Sequence, residues 1–175
     1  MKILLVRHGE TTGDIEDRYG SWYDDDLTEL GASQLQETAS KLSGELFEKT
    51  FSSPLKRAMQ SATIINAALH TEMVVCEGLK ERNYGLLGGL TKEQAILDYP
   101  EAVELHKDPA NTDPEGESQN DFNQRVLETF KEITSQKYET IVIVSHGGPI
   151  KVILKNLNYP LPPRIGDGEI IEIAI

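Results

Sequence analysis

Apolar residues follow two kinds of pattern along this chain. Residues 3–6 and 141–144 are short unbroken runs of β-branched residues and leucine. Each is too short for a buried helix and predicts a strand covered on both faces. Shorter stretches at 51–53, 73–76 and 169–175 predict three further strands. Elsewhere the apolar positions recur at three and four. Ala32, Leu35, Ala39 and Leu42 follow Thr28, which suits an N-cap. Ala58, Ala62 and Ile65 follow Ser53-Pro54, read as an N-cap with proline at the first helical position. Phe122, Val126, Phe130 and Ile133 form the face of a helix opened at 118–121, and Ile150, Ile153 and Leu154 one of a helix beginning near Pro149. Thr91-Lys92-Glu93-Gln94 has capping-box spacing and predicts a short helix ending before Pro100.

Polar, glycine-punctuated segments separate these elements. Residues 12–26 read as a long loop over a pocket mouth, 84–89 as a glycine-rich segment and 107–116 as a proline-bearing loop. Trp22 and Tyr23 serve either as packing or as an aromatic wall for a substrate. Asp24-Asp25-Asp26 reads as a solvated acidic patch; with no second acidic cluster at ligand spacing, no metal is assigned. Strands alternating with helices indicate a three-layer α/β/α fold around a mainly parallel sheet. A chain of 175 residues forms one domain, 1–175, that buries roughly 70% of its unfolded surface.

Charge narrows the partners. Against 17 Lys and Arg stand 29 Asp and Glu, a formal net charge of -12, which excludes reliance on nucleic-acid phosphates and slows the approach of polyanions. The first apolar run is too short for a signal-peptide core and no segment has membrane-spanning length, so a cytoplasmic protein is expected. Cys76, the sole cysteine, follows Met73, Val74 and Val75 and reads as a buried strand residue, not a nucleophile. Oligomeric state is left open.

Two predicted strands end in the same chemistry. Leu4-Leu5-Val6 runs into Arg7-His8-Gly9-Glu10-Thr11, and Ile143-Val144 into Ser145-His146-Gly147-Gly148-Pro149. Polar residues at the carboxyl ends of sheet strands lie where open α/β sheets bind ligands. The guanidinium of Arg7 matches phosphate oxygens, and Gly9 allows close backbone approach to a ligand. Arg57 falls within the first turns of its helix, where the macrodipole disfavours a cation and an anionic partner is called for.

Arg7 to Thr11 resembles the signature of the histidine phosphatase superfamily, the phosphoglycerate-mutase-like proteins. Ser52-Ser53-Pro54-Leu55-Lys56-Arg57-Ala58, Leu79-Lys80-Glu81-Arg82-Asn83-Tyr84-Gly85, Gly116-Glu117-Ser118 and Ser145 to Gly148 resemble the family's further blocks, in its order. The resemblance implies a sheet with one antiparallel strand and a cofactor-free reaction on a small phosphorylated metabolite. It makes His8 the nucleophile that becomes phosphohistidine. Arg7, Arg57, His146 and Gly147 then bind phosphate, and Glu81 is the proton donor and later the base. Lower-ranked candidates for substrate contact are Asp14, Trp22, Tyr84 and Lys92.

Three functions fit the resemblance: a phosphatase, a cofactor-dependent mutase, or a non-catalytic phospho-ligand module. The mutases are longer, usually carry an arginine pair downstream of the lysine, and have asparagine after the second His-Gly. Here the stretch reads His106-Lys107-Asp108-Pro109 and the residue is Gly148, so a phosphatase is favoured. Asp14 also departs from the pattern, standing where an asparagine usually donates to phosphate; an ionised carboxylate cannot donate.

Overall fold

A computed structural model describes all of residues 1–175. In chain order the elements are β1 (Lys2–Arg7), α1 (Thr12–Ile15), α2 (Glu29–Leu42), β2 (Lys49–Ser52), α3 (Lys56–Leu69) and β3 (Glu72–Val75). Then come α4 (Lys92–Asp98), α5 (Pro100–His106), α6 (Gln119–Thr134), β4 (Thr140–Ser145), α7 (Gly147–Asn156) and β5 (Ile170–Ala174). The sheet order is β3-β2-β4-β1-β5. All neighbours are parallel except β1 and β5, which run antiparallel.

Alternation along the central strands builds two cores. Ile3, Leu5, Ile141 and Ile143 pack on one face with Phe122, Val126 and Phe130 of α6 and Ile150 and Ile153 of α7. Leu4, Val6, Val142 and Val144 pack on the other with Leu35 and Leu42 of α2 and Ala62 and Ile65 of α3. Successive side chains of a strand point to opposite faces, so an unbroken apolar run is what a sheet between two helical layers requires. A smaller cluster of Leu87, Ala95 and Ala102, joined by Tyr19 and Tyr84, ties α4 and α5 over one end of the sheet.

Several local expectations are corrected. Residues 12–26 are not all loop. Thr11 and Asp14 cap each other reciprocally, and this opens the single turn of α1. Helix α3 starts at Lys56, later than the Ser53-Pro54 pair suggested, and Leu55 gives it no side-chain cap. Its cap comes from a distant residue instead, since Asp24 Oδ1 accepts the Lys56 N–H at 2.9 Å. The helix before Pro100 does end at Asp98, but Pro100 at once opens another, as its fixed φ and missing N–H allow at a first turn. Helix α7 begins at Gly147, two residues before Pro149. Cys76 lies just past β3 and is half-buried; burial pushes its thiol above the usual range, which fits an inert packing residue. No helix is long and apolar enough to cross a membrane.

Candidate active site

Parallel pairing of β1 with β4 sets Arg7 beside Ser145, so the residues that follow, His8 and His146, leave the sheet side by side. Their ring centroids are 5.1 Å apart. His8 Nδ1 lies 2.8 Å from the carbonyl oxygen of Gly9. A carbonyl only accepts, so the ring proton sits on Nδ1 and Nε2 carries the lone pair. That Nε2 accepts a hydrogen bond from Arg57 Nε–H at 3.3 Å. Burial first, and then the charges of Arg57 and Arg7, hold the His8 imidazole well below the usual histidine pKa. The same influences hold His146 low. His146 Nε2 lies 2.8 Å from Ser53 Oγ, which already accepts the Leu55 N–H. The serine can still give its hydrogen or accept a second one, so this contact suits either His146 tautomer. Nδ1 is buried with no partner.

The two arginines are held from behind. Arg57, 3% exposed, gives Nη1 to Asp25 Oδ1 at 2.9 Å and to the Tyr23 carbonyl at 2.7 Å, and Nη2 to the Ser21 carbonyl at 2.8 Å. Asp25 is 4% exposed, so the acidic run is not a solvated patch. Asp24 caps α3, Asp25 turns inward to Arg57, and Asp26 binds Lys56 and Gln60. Ser21 adopts a left-handed φ of 51°, a conformation costly for a side-chain residue, and it offers its hydroxyl to the Tyr84 N–H as well. Arg7 donates to the Ile165 carbonyl at 2.6 Å and lies 3.1 Å from Asp167, a charge contact without an aligned hydrogen bond.

Glu81 approaches from the segment after β3. Its Oε1 accepts the Arg82 N–H at 2.9 Å and its Oε2 the Gly148 N–H at 3.0 Å. Arg125 of α6 fixes this segment by donating to the carbonyls of Gly78, Lys80 and Glu81, and it is held by both carboxylate oxygens of Glu117. The Gly116-Glu117-Ser118 block thus serves Glu81 through Arg125. A Cβ at Gly148 would stand 2.0 Å from Glu81 Oε1 and 3.0 Å from Phe122, so a glycine is needed for this docking. Gly9 is needed for a different reason from the one expected. A Cβ there would strike Leu35 at 2.4 Å and the Gly31 carbonyl at 2.5 Å, which is packing against α2 and not approach to a ligand. One at Gly147 would meet nothing within 4 Å.

Arg7, His8, Arg57 and Glu81 converge on a polar cavity of about 160 Å³. The family profile described as "Histidine phosphatase superfamily (branch 1)" matches residues 3–166. The chain belongs to the histidine phosphatase superfamily. A 2,3-bisphosphoglycerate-dependent phosphoglycerate mutase of Blochmanniella pennsylvanica is 30% identical over 99% of this chain and 88% of its own. Bacillus stearothermophilus YhfR superposes with a TM-score of 0.88 at 28% identity, over 99% of this chain and 91% of that one. The alpha-ribazole phosphatase of Shigella flexneri superposes with a TM-score of 0.90 over 100% of this chain and 91% of that one; at 24% identity this is a likeness of fold.

In this member of the superfamily the lower-ranked candidates divide. Tyr84 lines the small cavity, and burial pushes its phenol well above the ordinary range. Asp14 is also on the wall, yet its Oδ2 accepts the Thr11 N–H at 2.9 Å and Oγ1–H at 2.8 Å. Arg18, four residues on, does not pair with Asp14 but binds Glu16 and the Gly89 carbonyl. Trp22 is not brought to the cavity wall, and its Nε1 donates to the Glu81 carbonyl at 2.7 Å. Lys92 lies on the surface in an ion pair with Asp17. Residues that sequence reasoning missed are Asp25, Ser21, Asp167 and Arg125, together with Ser53 in its contact with His146. A second cavity of about 810 Å³ adjoins the first, sharing Glu81 and Tyr84 with it.

Proposed function

We propose that this chain is a phosphatase that hydrolyses small phosphate monoesters through a phosphohistidine. The observation that carries the reading is the state of His8: neutral, with its Nδ1 proton fixed on Gly9 and its Nε2 lone pair facing the cavity arginine. In the first step Nε2 attacks phosphorus and the P–O bond to the alcohol breaks. Glu81 gives its proton to the departing oxygen. In the second step water attacks the phosphohistidine, Glu81 takes a proton from it, and inorganic phosphate leaves as the P–N bond breaks. Arg7 and Arg57 face the equatorial oxygens, where transition-state charge spreads. The unpaired His146 Nδ1 supports this placement. A buried ring nitrogen without a partner costs ~1–3 kcal/mol, and in the Nδ1–H tautomer a phosphoryl oxygen beside His8 would offset it.

Phosphatase is favoured over mutase by the cations around the cavity. Lys92 is tied to Asp17, Lys107 to Glu104, and the Arg82 guanidinium to the carbonyls of Pro109, Asn111 and Glu117. Arg18, on the wall of the small cavity, is likewise tied to Glu16 and the Gly89 carbonyl, so none of these four cations is free to take a glycerate carboxylate. The test is purified protein with an alkyl phosphate and, separately, with 3-phosphoglycerate plus 2,3-bisphosphoglycerate. Expected are steady release of inorganic phosphate, an acid-labile and alkali-stable phosphoenzyme, and loss of both in His8→Ala by at least about 10⁴-fold. Isomerisation of phosphoglycerate faster than phosphate release would overturn the reading.

A further inference from the structure

The larger cavity is a groove between α6 and α7 whose inner end is Glu81, the group that meets the leaving oxygen in the reaction proposed above. At about 810 Å³ it is of the size that holds a drug-sized organic group, far beyond a three-carbon acid. Its lining is mixed. Gly148 stands against Glu81; Gln119, Leu127 and Leu161, the last 49% exposed, also line it, and Lys151 and Lys155 line it from α7. These lysines are one turn apart and share a helix face.

The charge of the groove runs against that of the protein. In a chain of net charge -12, Glu81 is the sole carboxylate among the sixteen residues that line it. Lys155 forms no ion pair, and Lys151 makes one long contact, 3.3 Å, to the Pro163 carbonyl. Gly148, whose amide holds Glu81, and Lys155 are seven residues apart on one helix. At the α-helical rise this puts Lys155 about 10 Å farther out.

We infer that the groove is a leaving-group subsite for a long phosphate monoester: an apolar body with a second anionic group about 10 Å from the ester oxygen, held by Lys151 and Lys155. This rests on the phosphatase reading and narrows its substrate class. A phosphoglycerate is too short to span from the phosphate pocket to Lys155, and a neutral alkyl phosphate leaves both lysines unused.

The test uses non-hydrolysable linear phosphonates of increasing chain length, each ending in either a carboxylate or a methyl group, with binding measured by calorimetry. At the chain length that spans the groove, the carboxylate end should lower Kd about fivefold relative to the methyl end, and added salt should erode the difference. In the Lys151→Met/Lys155→Met double variant the ratio should fall to about one; taking the ratio within one protein cancels any general loss of binding. Equal affinities of the two ends at every length, or a preference that survives the double variant, would overturn the proposal. Turnover of p-nitrophenyl phosphate is measured alongside. Its absence in the unmodified protein would count against the phosphatase reading, while the phosphonate ratios would still decide the fate of the groove.

Discussion

The two halves of the site are built on opposite principles. In the phosphate pocket Arg57 and His8 are fastened by buried or backbone neighbours with little freedom of their own. Arg57 is held by a buried carboxylate and two backbone carbonyls, and the His8 ring is set by the carbonyl next to it in the chain. The groove beside it is five times larger and is bordered by long side chains on helix surfaces. Rigid elements fix geometry at the reacting atoms, where small displacements are costly in rate; flexible stems tolerate variety where only size and charge are read. On the proposed reaction, chemistry and selection are thus separable, with Glu81 on the boundary.

The contrast is broken most severely by loosening the pocket. Asp25→Asn leaves the Arg57 guanidinium buried without its counter-charge, a change that costs ~3–5 kcal/mol. A fall in melting temperature and a large loss of kcat/KM should appear together, whereas Leu161→Ala in the groove should alter KM for bulky substrates alone. Next comes the boundary. Gly148→Ala places a methyl group 2.0 Å from Glu81 Oε1, so the carboxyl must move. Hydrolysis of an alkyl phosphate should drop by about 10²-fold, and that of p-nitrophenyl phosphate, whose leaving group needs no proton, by far less. Equal losses on both substrates would make Glu81 a structural residue.

Acid should expose the pocket's stored cost. His8 and His146 are neutral in the folded protein because burial lowers their pKa, while in the unfolded chain they titrate normally near 6.5. The unfolded state therefore binds more protons below that pH, and stability is lost as pH falls through it, by up to about 1.4 kcal/mol per histidine per unit. Thermal melts from pH 7 to 5 should show this decline, and His146→Gln should flatten it. The smallest effect is expected at Asp14. Its carboxylate is spent on Thr11, and asparagine keeps an acceptor there, so Asp14→Asn should change phosphate inhibition by less than about threefold at neutral pH. A marked tightening would show that Asp14 turns to the ligand.

What could be read in advance follows from where the information lies. Strands β1 and β4 announce themselves because burial on both faces demands unbroken apolar runs, and the histidines lie at their ends by the same logic. The face of α6 was equally plain, at Phe122, Val126, Phe130 and Ile133. The supports of the site were not. Three consecutive aspartates look alike in a sequence, and only the path of the loop turns Asp25 inward. Ser53 before a proline has the form of a cap, but its hydroxyl is engaged by His146 across 93 residues, and Asp24 takes over the helix end. Helix α1 was hidden because its stabilising pair, Thr11 and Asp14, is polar and has no apolar period. The groove has no signature at all, since it arises from solvent-facing positions of two helices that meet only in the fold.

Trp22 gives the molecule an optical property of its own. It is the one tryptophan in the chain, and its indole N–H ends on the Glu81 carbonyl, with the Lys80 ammonium 4.5 Å from the ring centre and the Arg125 guanidinium 5.9 Å away. All of the protein's indole emission therefore originates at one spot, in the electric field of the strand of chain that carries Glu81. When that segment shifts, the colour and intensity of the emitted light shift with it. A stopped-flow fluorimeter can follow the boundary between pocket and groove in real time, with no label attached.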